Sequence, residues 1–333
     1  MKKASIKDVA KLAGVSIATV SQIINNKTER FSDETIHKVI NARNELGYIP
    51  NIAAKRLKGG TSPLIGVLIP SFRMPFFADL IQSMQVDGPE NVDLVFMGAN
   101  EDNLEASIYS LIERGADALI FGRPIPEHQK MIEFLTKRNI PFLSLDQSAD
   151  LDAKDQVMVR EWQGGKMAAR HLMELGHKKI TLLMAEQMTD NMHQREAGFI
   201  SALYDEGIEP IDNVKTQLSK HGGLVAAEKI MATGATAVFT LNDEIAVGLI
   251  RGLYEHGVNV PKDVSVVGYD DTDYAEFFVP ALTTVRQPVQ QIGIDALNMI
   301  IKRLRDPDLP QQNDTLELKL IVRESTGVPR SDN

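Results

Sequence analysis

From Leu64 onward the chain alternates unbroken apolar runs of strand length with longer segments of helical periodicity, and few folds accept that texture. The runs LIGVLIP (64–70), DLVFMG (93–98), DALIFG (117–122) and IPFLSL (140–145) are separated by helix-like stretches near 76–86, 103–114 and 127–138. A strand apolar on both faces must be covered on both, so the pattern predicts α/β structure with parallel sheets between layers of helices. A second series follows, KITLLM (179–184), TAVFTL (236–241) and VSVVGYD (264–270), with helices near 162–175, 192–206, 222–232 and 242–256. LTTVRQP (282–288) then leads to a helix at 289–304 and a last strand, LELKLIV (316–322). Two doubly wound units in succession leave ligands between them, at the carboxyl ends of the strands. One large Rossmann-like domain is the alternative, but no Gly-x-Gly-x-x-Gly follows the first strand. Gly88-Pro89 is expected to cut the first helix of the body short.

The first 48 residues have a different texture. In IKDVAKLAGVSIATVSQIIN (6–25), Val9, Ala10 and Ala13 give one helix a small apolar face, with Ser5 and Asp8 spaced as a capping box. Gly14 supplies the left-handed residue that ends it. Ser16 caps a second helix whose inward positions are Val20, Ile23 and Ile24, which leaves Ile17, Ala18, Ser21, Gln22 and Asn25 facing outward. Small Ala10 lets the two helices cross closely, and the outward face fits a major groove. An amphipathic hairpin without a nucleic-acid role is the competing interpretation. A third helix is predicted from Asp33 to Leu46, capped by Ser32 and ended by Gly47, with Ile36, Val39, Ile40 and Leu46 closing a small core. In YIPNIAAKRLKGG, Asn51 caps a short helix with Ala53, Ala54 and Leu57 on one side, followed by a linker at Gly59, Gly60, Thr61 and Ser62. Two helical turns do not stand alone in water, so this piece needs a partner.

Charge separates the two parts. Residues 1–60 carry net +6 and the remainder net −15, so the total of −9 conceals a basic head on an acidic body. That division suits a module that meets phosphates and a body that does not. The chain has no cysteine, which excludes disulfides and thiolate metal sites. MKKASIKDVA has no apolar run after its lysines, and nothing approaches the roughly 20 apolar residues of a membrane span. A cytoplasmic protein is expected.

The order of these parts resembles the lactose-repressor (LacI/GalR) family of bacterial transcriptional regulators over nearly the whole chain. The resemblance is carried by IKDVAKLAGVSIATVS, ELGYIPNIAAKRLK, HLMELGHKKI, HQREAGF, TLNDEIAVG, VPKDVSVVGYDD and PALTTVRQP, all in the family's sequence. It implies a helix-turn-helix head at 1–48, a hinge helix and linker at 49–60, and an effector-binding and dimerisation domain at 61–323, built like a periplasmic sugar-binding protein. The two subdomains would be about 61–160 plus 289–315, and about 161–287 plus 316–323, with crossings near 160, 288 and 316 and a tail at 324–333.

Residue roles follow from the same resemblance. Ile17, Ala18 and Gln22 would face bases, while Ser5, Lys7, Ser16, Thr19, Ser21 and Asn25 would meet phosphates or base edges. The family usually has Arg where Gln22 stands; Arg prefers guanine, whereas Gln pairs with adenine, so an altered operator step is expected. Leu57 matches the hinge leucine that wedges into the minor groove, with Lys58 beside it. In the effector domain the family places ligand groups at Arg195, Asn242 and Asp270, and Phe76, Phe77 and Trp162 are candidates for aromatic faces against a sugar. Where the family often has Asp-Asn, this chain has Val159-Arg160 ahead of Glu161-Trp162 and Gly164-Gly165. Arg123, Arg160 and Arg195 together suggest an anionic effector such as a sugar phosphate, unless Glu161 or Asp146 neutralises them.

The sequence has no HExxH, Gly-x-Ser-x-Gly or Walker loop, so catalysis is not expected, nor is a cofactor or metal. His171 and His177 do not have metal-site spacing, and His177 after Gly176 reads as a helix-end residue. Asp270-Asp271 fits hydroxyl binding at a strand end as well as acid-base chemistry. The expected partners are near-palindromic double-stranded DNA, a sugar or sugar phosphate and a second copy of the chain, since the head is too small to read a full site alone. A solute-binding protein would share the body but lack the basic head. ESTGVPRSDN has no leucine heptads, so no helical tetramer seam is expected.

Overall fold

A computed structural model describes residues 4–25, 27–48, 62–100, 102–125, 128–145 and 155–330. The chain divides into two compact units, Met1–Ser62 and Pro63–Asn333.

Among its described residues the first unit, the head, has three helices: α1 (Ile6–Ala13), α2 (Ile17–Ile24) and α3 (Asp33–Glu45). The Asp8 carboxylate accepts both the backbone N–H and the hydroxyl of Ser5, at 2.8 and 2.6 Å, which fixes the entry to α1. Gly14 sits at φ 69° and turns the chain out of α1. Ser16 and Ser32 accept the N–H groups of Thr19 and Thr35 at the starts of α2 and α3. Val9, Ala10, Ala13, Val20, Ile23, Val39 and Ala42 form the core, with Ile24, Phe31, Ile36, Ile40 and Leu46 packed around it. The expected hinge at 49–60, with Leu57 and Lys58, lies outside the described residues.

The second unit contains two six-stranded sheets. The first comprises β1 (Leu64–Ile69), β2 (Asp93–Gly98), β3 (Ala118–Phe121), β4 (Phe142–Ser144), β5 (Asp155–Val159) and β11 (Gln312–Leu316), in the order β11-β5-β4-β3-β1-β2, all parallel. Its two faces follow the period of two. Ile65, Val67 and Ile69 pack under α4 (Pro75–Val86) and α12 (Val289–Arg305), while Leu64 and Leu68 pack under α5 (Leu104–Glu113) and α6 (His128–Lys137). The second sheet comprises β6 (Ile180–Ala185), β7 (Val214–Thr216), β8 (Ala237–Thr240), β9 (Ser265–Asp270), β10 (Thr283–Arg286) and β12 (Lys319–Ile321), in the order β12-β10-β9-β8-β6-β7. Only β12 runs antiparallel in it. Helices α7 (Glu161–Glu174) and α8 (Asp190–Asp205) contribute to the core on one face, and α9 (Lys220–Thr233) and α10 (Asp243–Glu255) to that on the other. A one-turn helix, α11 (Tyr274–Phe277), follows β9.

The α7–α8 crossing is close because glycine sits on both helices. A Cβ at Gly165 would stand 1.9 Å from the Arg195 carbonyl oxygen, and one at Gly198 the same distance from that of Trp162. The chain passes between the sheets three times: after β5, after β10 and between β11 and β12.

Three sequence expectations change. The single last strand at 316–322 is two strands, because the chain crosses at Glu317-Leu318 and pairs β11 with β5 but β12 with β10. Strands at 155–159 and 214–216 were not foreseen: Asp155-Gln156 and Val214-Lys215-Thr216 break the apolar pattern. Residues 324–330 are no free tail. Val266 N–H donates to the Ser325 carbonyl at 2.8 Å and the Ser325 hydroxyl donates back to the Val266 carbonyl at 2.6 Å, which builds this segment into the second sheet's core. There His177 bridges Thr236, Ser265 and the Gly327 carbonyl, and His171 meets Thr326.

Candidate functional site

On the head, α2 presents Ile17, Ala18 and Gln22 to solvent, with Ile17 42% exposed despite its apolar side chain. Of the other isoleucines of the helix, Ile23 is buried and Ile24 half-buried, so Ile17 alone of the three lies on the outward face. Ser5, Lys7 and Ser16 are exposed as well. Ser21 and Thr19 are half-buried; the Thr19 and Ser16 hydroxyls are 2.9 Å apart, and Asn25 donates its amide to the Ser21 carbonyl at 2.7 Å.

The second unit encloses a cavity of about 200 Å³ at the carboxyl ends of strands from both sheets. Pro70 follows β1, Arg123 follows β3, Leu145 follows β4, and Val159 ends β5; opposite them, Asn242 follows β8, Asp270 ends β9 and Gln287 follows β10. The wall from the first sheet is largely apolar. Phe76 and Phe77 open α4 with their rings edge to face at 5.2 Å, joined by Pro70, Leu145, Val157 and Val159. Arg123 is the cation on that side, with Nη1 donating to the Ala99 carbonyl. The wall from the second sheet carries most of the polar groups, Thr189, Asn191, Arg195, Asn242, Asp270 and Gln287, beside apolar Met192 and Leu218.

The polar wall is organised around Arg195, which is 3% exposed. Its Nε and Nη2 donate to the two oxygens of Glu161 at 2.7 and 3.0 Å, and Nη1 donates to the Leu241 carbonyl at 2.7 Å. Its guanidinium carbon lies 3.8 Å over the Tyr269 ring, and the Tyr269 hydroxyl donates to Glu161. Burial opposes the Arg195 charge, but Glu161, Tyr269 and Asp270 together outweigh it and hold the group protonated. Asp270 lies 3.8 Å from Arg195 and accepts from the Gln287 amide at 2.7 Å. Burial pushes its carboxyl upward, Arg195 opposes that shift, and the buried Asp243 behind it adds to it. Asp270 and Asp271 have φ of 111° and 58°, backbone strain of the kind concentrated at binding sites. Asn242 spends its Oδ1 on the Ile245 N–H, capping α10 at the cavity edge.

Six of the eight residues expected at an effector site line this cavity: Phe76, Phe77, Arg123, Arg195, Asn242 and Asp270. Arg160 and Trp162 do not. Successive residues at a helix start point about 100° apart, so only Glu161 of that trio is directed into the cavity. Arg160 is exposed, and the Trp162 ring packs under the Lys166 ammonium at 4.9 Å. The three-arginine cluster is therefore not assembled, and Arg195 is already paired. Asn191 and Gln287 were missed. Asn191 could have been found four residues before Arg195 on one helix face; Gln287 carries no such signal.

The lacI-family model of bacterial regulatory proteins matches residues 5–51, and a periplasmic binding protein-like domain matches 169–326. The HTH-type transcriptional regulator DegA of Bacillus subtilis (strain 168) is 34% identical over 334 residues, covering 98% of both chains. The chain belongs to the lacI family of bacterial regulatory proteins. Among solved lacI-family structures, the lac repressor dimer bound to operator and the anti-inducer ONPF superposes with a TM-score of 0.82 at 28% identity, covering 98% of this chain and 100% of that one. A LacI family regulator from Enterococcus faecium with bound ribose gives 0.76 at 34% identity, covering 80% and 100%. As in other lacI-family regulators, the helix-turn-helix head is a DNA-binding module, and the effector domain has the periplasmic-binding fold. No helix among the described residues is long and apolar enough to cross a membrane.

Proposed function

We propose that this lacI-family regulator is a repressor of carbohydrate-utilisation genes, acting in the bacterial cytoplasm as a two-fold dimer on a near-palindromic operator. Its operator affinity is set by a sugar or sugar phosphate held in the cavity of the effector domain. The carrying observation is the cavity's position and make-up: polar groups of one sheet face an apolar, aromatic wall of the other, at the strand ends of both. Such a wall covers the C–H face of a sugar ring while Asn242, Asp270 and Asn191 take its hydroxyls. Closing both walls on a ligand changes the angle between the sheets about the three crossings, and that angle is the signal passed to the paired heads.

In the head, Ile17, Ala18 and Gln22 read bases, while Ser5, Lys7, Ser16, Thr19, Ser21 and Asn25 position the helix on the backbone. Leu57 and Lys58 complete the contact in the minor groove. Fluorescence anisotropy on palindromic duplexes at several salt concentrations, with and without a panel of pentoses, hexoses and their phosphates, tests the proposal. Specific binding with a steep salt slope, altered by at least one of these sugars, supports it; binding that no sugar alters removes the effector half.

A further inference from the structure

We propose that Glu161 is a specificity-determining residue that turns the cavity against phosphorylated and carboxylated sugars and toward neutral ones. The inference rests on the proposal that a sugar-class effector occupies this cavity. An arginine captures an anion through an open edge of its fork, two parallel N–H donors aimed at two oxygens. On Arg195 the Nε/Nη2 edge is filled by Glu161, and the Leu241 carbonyl takes an N–H of Nη1.

The lock is firm because Glu161 is itself 3% exposed and also accepts from the Tyr269 hydroxyl. Both partners of the ion pair are thereby held in one geometry. An anion entering this wall meets a guanidinium whose charge the Glu161 carboxylate already balances, and at this depth that carboxylate is poorly screened. A neutral polyol needs no cation, and its hydroxyls donate to Asp270 and exchange hydrogen bonds with Asn191. Opposite stand Phe76, Leu145 and Val159, which suit ring C–H groups and disfavour a phosphate, while Arg123, the cation of that wall, gives Nη1 to the Ala99 carbonyl. The placement of Glu161 is a local property of this chain: as the first residue of α7 it points inward, while its neighbours point away.

The test titrates full-length wild-type, Glu161→Gln and Glu161→Ala proteins by calorimetry with ribose, glucose, ribose 5-phosphate and glucose 6-phosphate. Inorganic phosphate is added in parallel thermal melts. Wild type is expected to bind the neutral member of a pair at least about tenfold more tightly, and the substitutions to move that ratio about tenfold toward the phosphate. Millimolar inorganic phosphate is expected to stabilise Glu161→Ala but not wild type. A wild type that prefers the phosphorylated sugars overturns the inference even if the variants fail to fold. Folded variants with an unchanged ratio and no response to inorganic phosphate overturn it as well. If wild type binds no sugar of either kind, the effector proposal itself fails, and the inorganic phosphate melts still decide whether Glu161 masks Arg195.

Discussion

Arg303 and Asp155 form a buried two-point pair, Nε to Oδ2 at 2.9 Å and Nη2 to Oδ1 at 2.8 Å, 148 residues apart in sequence. The remaining Arg303 donors reach the carbonyls of Pro307, Leu309 and Pro310, and Asp155 accepts the Gln312 N–H at 3.1 Å. One guanidinium thus organises the turn from α12 into β11 and fixes β11 beside β5.

Removing the cation leaves a carboxylate buried without its partner and three carbonyls without a donor. Arg303→Met is expected to lower stability by about 3–5 kcal/mol. Arg303→Lys should recover little of it, because an ammonium cannot supply the fork. Urea denaturation of the full chain measures both; a loss below about 1 kcal/mol for Arg303→Met would show that the pair only decorates the turn.

Gly198 makes a prediction about packing alone. Its added Cβ would collide with the Trp162 backbone at 1.9 Å, and backbone does not yield as a flexible side chain does. Gly198→Ala is expected to cost about 1–3 kcal/mol through forced separation of α7 and α8. The gain in helix propensity, up to about 1 kcal/mol, acts in the other direction. A variant as stable as wild type in the same urea series would mean that the crossing relaxes freely.

His177 predicts a dependence on pH. Burial pushes its imidazole below the ordinary histidine range, more strongly than the Gly327 carbonyl pulls it up, and nearby His171 lowers it further. The folded state therefore binds the proton less well than the unfolded state. Its contribution to stability is complete above pH about 6.5 and is lost as the pH falls through the folded value. The buried Asp243 and half-buried Asp270, both raised by desolvation, give the opposite slope, so the informative quantity is the difference between wild type and His177→Gln. That difference in melting temperature is expected to shrink from pH 7.5 to about pH 5; a gap that stays constant would mean that His177 does not titrate there.

In the head, Gln22→Arg is expected to switch preference at one operator step from adenine to guanine, with about 1–3 kcal/mol of discrimination. Anisotropy on paired operator variants reads the switch. Equal affinities before and after would assign Gln22 to backbone contact.

Much of this was legible because period and punctuation agreed. Ser5, Asp8, Gly14 and Ser16 mark the head's turns with residue types that have specific backbone uses, and the apolar runs of β1, β3, β6 and β9 leave no other place for their side chains. Strand β5 stayed hidden because its Asp155 looks like loop chemistry until Arg303, far along the chain, is brought to it. The candidate site was half legible. Arg195, Asn242 and Asp270 stand in recognisable motifs, but whether Arg160, Glu161 or Trp162 enters the cavity depends on the angular phase of α7, which one residue of shift at the helix start would change.

Three covalent tethers join the two sheets of the effector domain. Bodies held at one tether can tumble and at two can swing, but three restrict the relative motion chiefly to a bend. Large sliding or twisting would stretch peptide bonds. In the regulatory scheme proposed above, ligands of quite different shape would then be reported downstream as more or less of the same movement.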